Sequence, residues 1–73
     1  MISVLKQIMT SVSYANNLVV IKTLSGNAGA AGMAVDGMHL PQILGSVAGD
    51  DTLLVIAKSN SDAEIVVKIL RNL

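Results

Sequence analysis

Seventy-three residues, 52% of them hydrophobic, with a mean hydropathy of +0.65 and five basic side chains balanced by five acidic ones, make one small domain with more apolar surface than a chain of this size hides alone. Tyr14 is the single aromatic residue and cysteine is absent, which excludes base-stacking platforms, aromatic cages, disulfide scaffolds, thiolate metal sites and thiol nucleophiles. The basic residues form no cluster of the kind phosphate-backbone binding needs, no apolar run approaches the roughly 20 residues of a membrane span, and no leader peptide is visible, so part of the apolar surface is expected to be buried against other chains.

Along the chain, Ile2, Val4, Ile8, Val12 and Tyr14 fall at even positions and predict a half-buried strand from about Val4, although Ile2, Leu5, Met9 and Val12 also fit a helical stripe. Ala15-Asn16-Asn17 is turn chemistry, because Asn tolerates positive φ, and the β-branched run Leu18 to Thr23 then completes a hairpin. Ser25-Gly26-Asn27 ends that strand. A helix follows over residues 28–38 with Asn27 as its N-cap. Gly29, Gly32 and Gly37 each weaken this helix by up to about 1 kcal/mol relative to Ala, and its small face, Ala28, Gly29, Ala31 and Gly32, admits a partner or ligand close to the main chain. Pro41 stops the helix through its effect on the preceding residue.

Residues 43–48 and 52–58 flank Gly49-Asp50-Asp51 and predict a second hairpin. Ser61-Asp62-Ala63-Glu64 reads as a capping box opening a last helix, whose apolar stripe is Ile65, Ile69 and Leu73 widened by Val66 and Leu70. The order strand, strand, helix, strand, strand, helix defines an α+β fold: a two-layer ββαββα domain spanning residues 1–73, with a four-stranded, largely antiparallel sheet and two helices on one face.

Catalytic chemistry finds little support. His39 sits in a connection with no nucleophile or carboxylate at motif spacing, and the serines fall on strand faces or at caps without a base nearby. Gly26, Gly29 and Gly32 follow a strand and open a helix, but at G-x-x-G-x-x-G spacing instead of the dinucleotide pattern, which leaves only the general affinity of a helix N-terminus for an anion such as an α-carboxylate. Asp50 and Asp51 concentrate two of the five acidic residues in one turn. They are either a solvated turn or a receptor for a guanidinium or ammonium ligand; a metal is the weaker fit, since no further carboxylate or histidine lies at ligand spacing. Asp36, seven residues after Gly29, lies about two turns along the same helix face and is either solvent-facing or directed at the same ligand.

Three segments together, N-L-V-V-I-K-T at 17–23, S-G-N-A at 25–28 and I-L-G-S-V-A-G-D-D-T at 43–52, resemble the arginine repressor family, and the match covers nearly the whole chain. The resemblance is to the family's C-terminal domain and implies a cytoplasmic, non-enzymatic regulator of arginine biosynthesis and catabolism. Its effector is L-arginine, with no cofactor or metal, and it assembles as trimers pairing into hexamers. It also implies that operator DNA is contacted only by an N-terminal winged helix-turn-helix domain absent from this chain. Carried over by position, the ligand-binding residues are Asp50 and Asp51 in the turn, Asn27, Ala28 and Gly29 at the helix start, and Asp36. Two positions depart from the family: Ser25 stands where proline is frequent, and Gly29 where glutamine is common. The competing reading is a purely structural oligomerisation domain with no ligand response; an enzyme would need catalytic groups from a partner.

Overall fold

A computed structural model describes residues 2–73; Met1 lies outside the described residues. The chain opens on a helix, α1 (Ile2–Ile8), where a strand was expected, and β1 (Met9–Ala15) begins only afterwards. The helical stripe prevails over the even-position alternation because Leu5 and Ile8, one turn apart, both enter the core, whereas Ile2 and Val4 stay exposed. Among the described residues the fold therefore has three helices.

β2 (Leu18–Thr23) pairs with β1 across the Asn16-Asn17 turn, and Asn16 takes the positive φ, 55°, that its side chain tolerates. Then come α2 (Ala28–Gly37), β3 (Ile43–Ala48), β4 (Thr52–Ala57) and α3 (Asn60–Arg71). The sheet runs in the order β1-β2-β4-β3 with every neighbouring pair antiparallel. Because β4 lies beside β2, with Lys22 opposite Thr52, the turn between β3 and β4 comes to rest where β2 hands the chain to α2.

Alternation separates the two sheet faces. Val12, Val19, Ile21, Leu53, Val55 and Ala57 are buried with Ala31, Ala34 and Val35 of α2 and Ala63, Val66, Val67 and Leu70 of α3. The opposite face carries Leu18, Val20, Leu54, Ile56 and Val47, half-buried or exposed, with Val47 64% exposed. Gly32 lets α2 lie close to the sheet: a Cβ there would sit 3.3 Å from the Leu53 Cδ1 atom.

Two helix boundaries differ from expectation. Ser59, not Ser61, caps α3, its hydroxyl accepting from the Asp62 amide at 3.1 Å, so the buried stripe is Ala63, Val66, Val67 and Leu70, while Ile65 is 41% exposed and Glu64 accepts a hydrogen bond from the Tyr14 hydroxyl. α2 ends before Pro41 acts: His39 adopts φ 51° and its amide donates to the Asp36 carbonyl at 3.2 Å, satisfying an orphan carbonyl of the last turn.

Candidate functional site

Backbone hydrogen bonds lock the Gly49-Asp50-Asp51 turn against the start of α2. The Ala28 amide donates to the Asp50 carbonyl at 3.1 Å and the Thr23 amide to the Asp51 carbonyl at 2.8 Å, while the Gly49 amide donates to the Thr52 carbonyl across the hairpin. The loop between β2 and α2 passes through Gly26 at φ +77°, a conformation that favours glycine, and this turns the loop toward Asp50. Asp50 Oδ2 accepts from the Ser25 hydroxyl at 3.2 Å and from the Gly26 amide at 3.3 Å. One carboxylate thus ties the β3–β4 turn to the entry of α2.

Asp51 has a different set of neighbours. Its Oδ1 accepts from the Thr52 hydroxyl at 2.9 Å and lies 3.6 Å from the Lys22 ammonium, which itself donates to the Thr52 hydroxyl oxygen at 2.7 Å. Thr52's hydroxyl bond and the Lys22 charge hold the Asp51 carboxyl below the usual carboxylate range, in that order of importance. Both side chains of the ion pair are about half exposed, 46% for Lys22 and 54% for Asp51, so the pair is solvent-screened and exchangeable.

Asn27 occupies the N-cap position of α2 but does not cap it. Its side-chain amide donates to the Ser25 carbonyl at 2.9 Å, bracing the loop, and no side chain accepts from the helix's first amides. Gly29 is exposed on the first turn, and nothing lies within 4 Å of a Cβ added there.

Asn27, Ala28, Gly29, Asp50 and Asp51 are therefore brought together at one corner of the domain. Asp36 is set apart. It lies about 10 Å further along α2, at the rim of a 170 Å³ hollow shared with His39, Leu40, Ile43 and Leu44. A larger groove of 450 Å³, lined by Lys6, Met9, Val12, Leu70 and Arg71, lies beside β1, where the Arg71 guanidinium donates to the Val12 carbonyl at 3.0 Å. The turn aspartates line neither hollow and stand on an open surface.

Ser25, Lys22 and Thr52 belong to this corner; the sequence marked Ser25 only as a departure from the family's proline, and none of the three was assigned to the site. Lys22 and Thr52 lie within the segments 17–23 and 43–52 that carry the family resemblance, but only the pairing of β2 with β4 makes them neighbours. Among the described residues no group of three or more His, Asp or Glu side chains is placed to hold a metal ion, and no helix is long and apolar enough to cross a membrane.

Comparison with known proteins places this corner in a family context. Residues 5–72 match the family model described as arginine repressor, C-terminal domain. Similar curated proteins include the arginine repressor of Ruminiclostridium cellulolyticum, 48% identical over 67 residues that cover 92% of this chain and 45% of the relative. The arginine repressor of Acetivibrio thermocellus is 45% identical over all 73 residues, and that of Clostridium acetobutylicum 37% identical over the same span, the chain covering 48% and 49% of these relatives. The chain thus spans about half the length of the curated relatives it matches. A family model matching nearly the whole chain and identities of this size show that the chain belongs to the arginine repressor C-terminal domain family.

Proposed function

We propose that this domain senses L-arginine and couples its binding to self-association, with arginine seated between trimers and stabilising a hexamer, as part of an arginine-dependent cytoplasmic regulator of arginine biosynthesis and catabolism. Contact with operator DNA belongs, in this reading, to a separate winged helix-turn-helix domain of the whole protein. The observation that carries the proposal is the seating of the Asp50-Asp51 turn against the uncapped first turn of α2. Two carboxylates suit a guanidinium, which pairs with carboxylates in a planar, bidentate fashion. The Ala28 amide is taken by the Asp50 carbonyl, which leaves the Gly29 and Ala30 amides to suit an α-carboxylate. One corner thus offers both ends of an amino-acid ligand their complementary charge.

Self-association is supported by the second sheet face, where Leu18, Val20, Leu54, Ile56 and Val47 form an apolar strip across three strands. The site lies open on a single chain, which fits a ligand completed by a second chain, since burial strengthens charge-assisted contacts that water screens.

Sedimentation velocity across a protein concentration series, with matched L-arginine and citrulline, tests the proposal. Citrulline has nearly the shape of arginine but a neutral ureido group, so it leaves the carboxylates uncompensated. Arginine is expected to shift the assembly toward the larger species at lower protein concentration, and citrulline much less. Equal shifts would remove charge compensation as the mechanism. A second reading, a purely structural oligomerisation domain, draws on the engagement of Asp50 by Ser25 and Gly26; it predicts no arginine heat in calorimetry and no arginine-dependent change of mass.

A further inference from the structure

We propose that the groove beside β1 is a binding site for a small amphiphilic anion, a carboxylate with an apolar chain, whose head is held by Lys6 and Arg71 and whose chain lies over Met9, Val12, Leu70 and Leu73. The site is independent of the arginine-sensing reading, since the groove and the Asp50-Asp51 corner share no lining residue. Its 450 Å³ falls in the range that small-molecule sites occupy. α1, β1 and the end of α3 form its walls.

The sign of the ligand follows from what lines the groove. Two of the chain's five basic side chains, Lys6 and Arg71, stand there, and no acidic side chain does. Glu64, about two turns before Arg71 on α3, accepts from the Tyr14 hydroxyl and stays outside the groove. Among the described residues the one ion pair joins Lys22 to Asp51, so both groove cations are without a carboxylate partner. Arg71 is also fixed in place: its Nη2 donates to the Val12 carbonyl at 3.0 Å, which leaves the other guanidinium donors to a carboxylate. The strand edge adds neutral polar groups. A register shift between Met9 and Ser11 leaves Thr10 unpaired with β2, and the Thr10 and Ser11 side chains line the groove.

The floor of the groove asks for an apolar body. Val12 and Leu70 are buried members of the core, and Met9 and Leu73 pack against it half-buried, so the hollow opens onto the rim of the core. A bare inorganic anion leaves that rim wet. A hydrocarbon chain covers it, with a gain in affinity of about fourfold for each methylene it buries. Nucleic acid fits the groove poorly, because two cations and no aromatic ring supply neither a phosphate track nor a stacking platform.

The experiment is an amide NMR titration of the parent chain with sodium decanoate at constant ionic strength. Acetate supplies the charge without the chain, and decanol the chain without the charge. Decanoate is expected to give saturable shifts at residues 6, 9–12 and 70–73, octanoate to bind about fourfold more weakly for each methylene withdrawn from the floor, and acetate not to saturate. Lys6→Gln, a substitution at an exposed position, is expected to weaken decanoate by about two- to fivefold. Arg71→Lys keeps the charge, loses the planar fork, and is expected to weaken it over the same range. Decanol binding as tightly as decanoate, parent-like affinity in either variant, or shifts that do not saturate or that spread over the exposed sheet face would overturn the site. Groove shifts that follow protein concentration alone, without any carboxylate, would identify a second copy of the chain as the occupant and overturn it equally.

Discussion

Replacing Gly29 by glutamine, the residue that the resemblance to the family implies at this position, tests the start of α2 as both a structural and a binding element. Gly29 is the second residue of α2, exposed, with no atom within 4 Å of an added Cβ, so the substitution introduces no clash. In a helix, glutamine is favoured over glycine by about 0.6 kcal/mol, through the smaller backbone entropy it loses. For a domain of 73 residues that corresponds to a melting-temperature rise of about 2–5 °C. The new carboxamide projects from the turn that faces Asp50 and Asp51, and a hydrogen bond from it to a bound amino acid contributes about 0.5–1.5 kcal/mol, a gain of roughly two- to twelvefold in affinity. Circular dichroism melts of Gly29→Gln and parent at matched protein concentration, then calorimetry with L-arginine, separate the two effects. A lower melting temperature would show that the first turn is not a free, exposed helix start. A higher melting temperature with weaker arginine binding would refute the placement of the ligand over this turn.

Asp51→Asn is expected to weaken arginine binding about ten- to hundredfold while leaving the melting temperature nearly unchanged at neutral pH, since its carboxylate meets only the exposed Lys22 and Thr52 side chains; calorimetry and a thermal melt read the two outcomes. Asp50→Ala is expected to lower the melting temperature by several degrees through loss of the acceptor for Ser25 and Gly26, whereas Asp50→Asn retains a side-chain oxygen there and melts close to the parent. Tyr14, whose hydroxyl donates to Glu64 at 3.0 Å, has its pKa raised above the ordinary value of 10, chiefly by that hydrogen bond; a raised pKa in an acid means that the contribution to stability is present below pH 10 and fades as pH rises through the raised value. As the chain's single aromatic residue, Tyr14 is directly readable by ultraviolet titration, and Glu64→Gln is expected to bring its midpoint down.

Local chemistry made much of the fold legible. Asn16 takes the positive φ expected of a turn asparagine, and the alternation of β2 and β4 places Val19, Ile21, Leu53 and Val55 on one face. What failed were choices between two locally valid patterns. Over residues 2–8 an even-position strand through Ile2, Val4 and Ile8 and a helical stripe through Ile2 and Leu5 are both locally valid, and packing of Leu5 and Ile8 into the core decides between them. At α3 both Ser59 and Ser61 are competent caps; beginning the helix at Asn60 turns Ala63, Val66, Val67 and Leu70 inward and leaves Ile65 outside. The candidate corner was partly legible because its two halves are short, chemically distinct segments, and the structure brings these together. The pairing of Lys22 with Asp51 was not, since it depends on the strand order, and nothing in the sequence of a four-stranded antiparallel sheet dictates that β4 lies between β2 and β3.

That strand order also explains how one turn can serve the fold and, in the proposed reading, a ligand. With β4 beside β2, the residues entering β4 and those leaving β2 meet at the same end of the sheet's central strands, and α2 starts there too. Asp50 uses its carbonyl for Ala28 and one carboxylate oxygen for Ser25 and Gly26, so it fixes the distance between the turn and the helix start. Asp51 uses its carbonyl for Thr23 but leaves its carboxylate to side chains that water also reaches. Adjacent residues in a strand-to-strand turn point their side chains differently, so the pair divides into one anchor and one exchangeable charge. A ligand that neutralises the exchangeable charge does not have to disturb the anchor. In the proposed reading a ligand cation at Asp51 breaks no backbone hydrogen bond, so the turn needs no rearrangement to receive it.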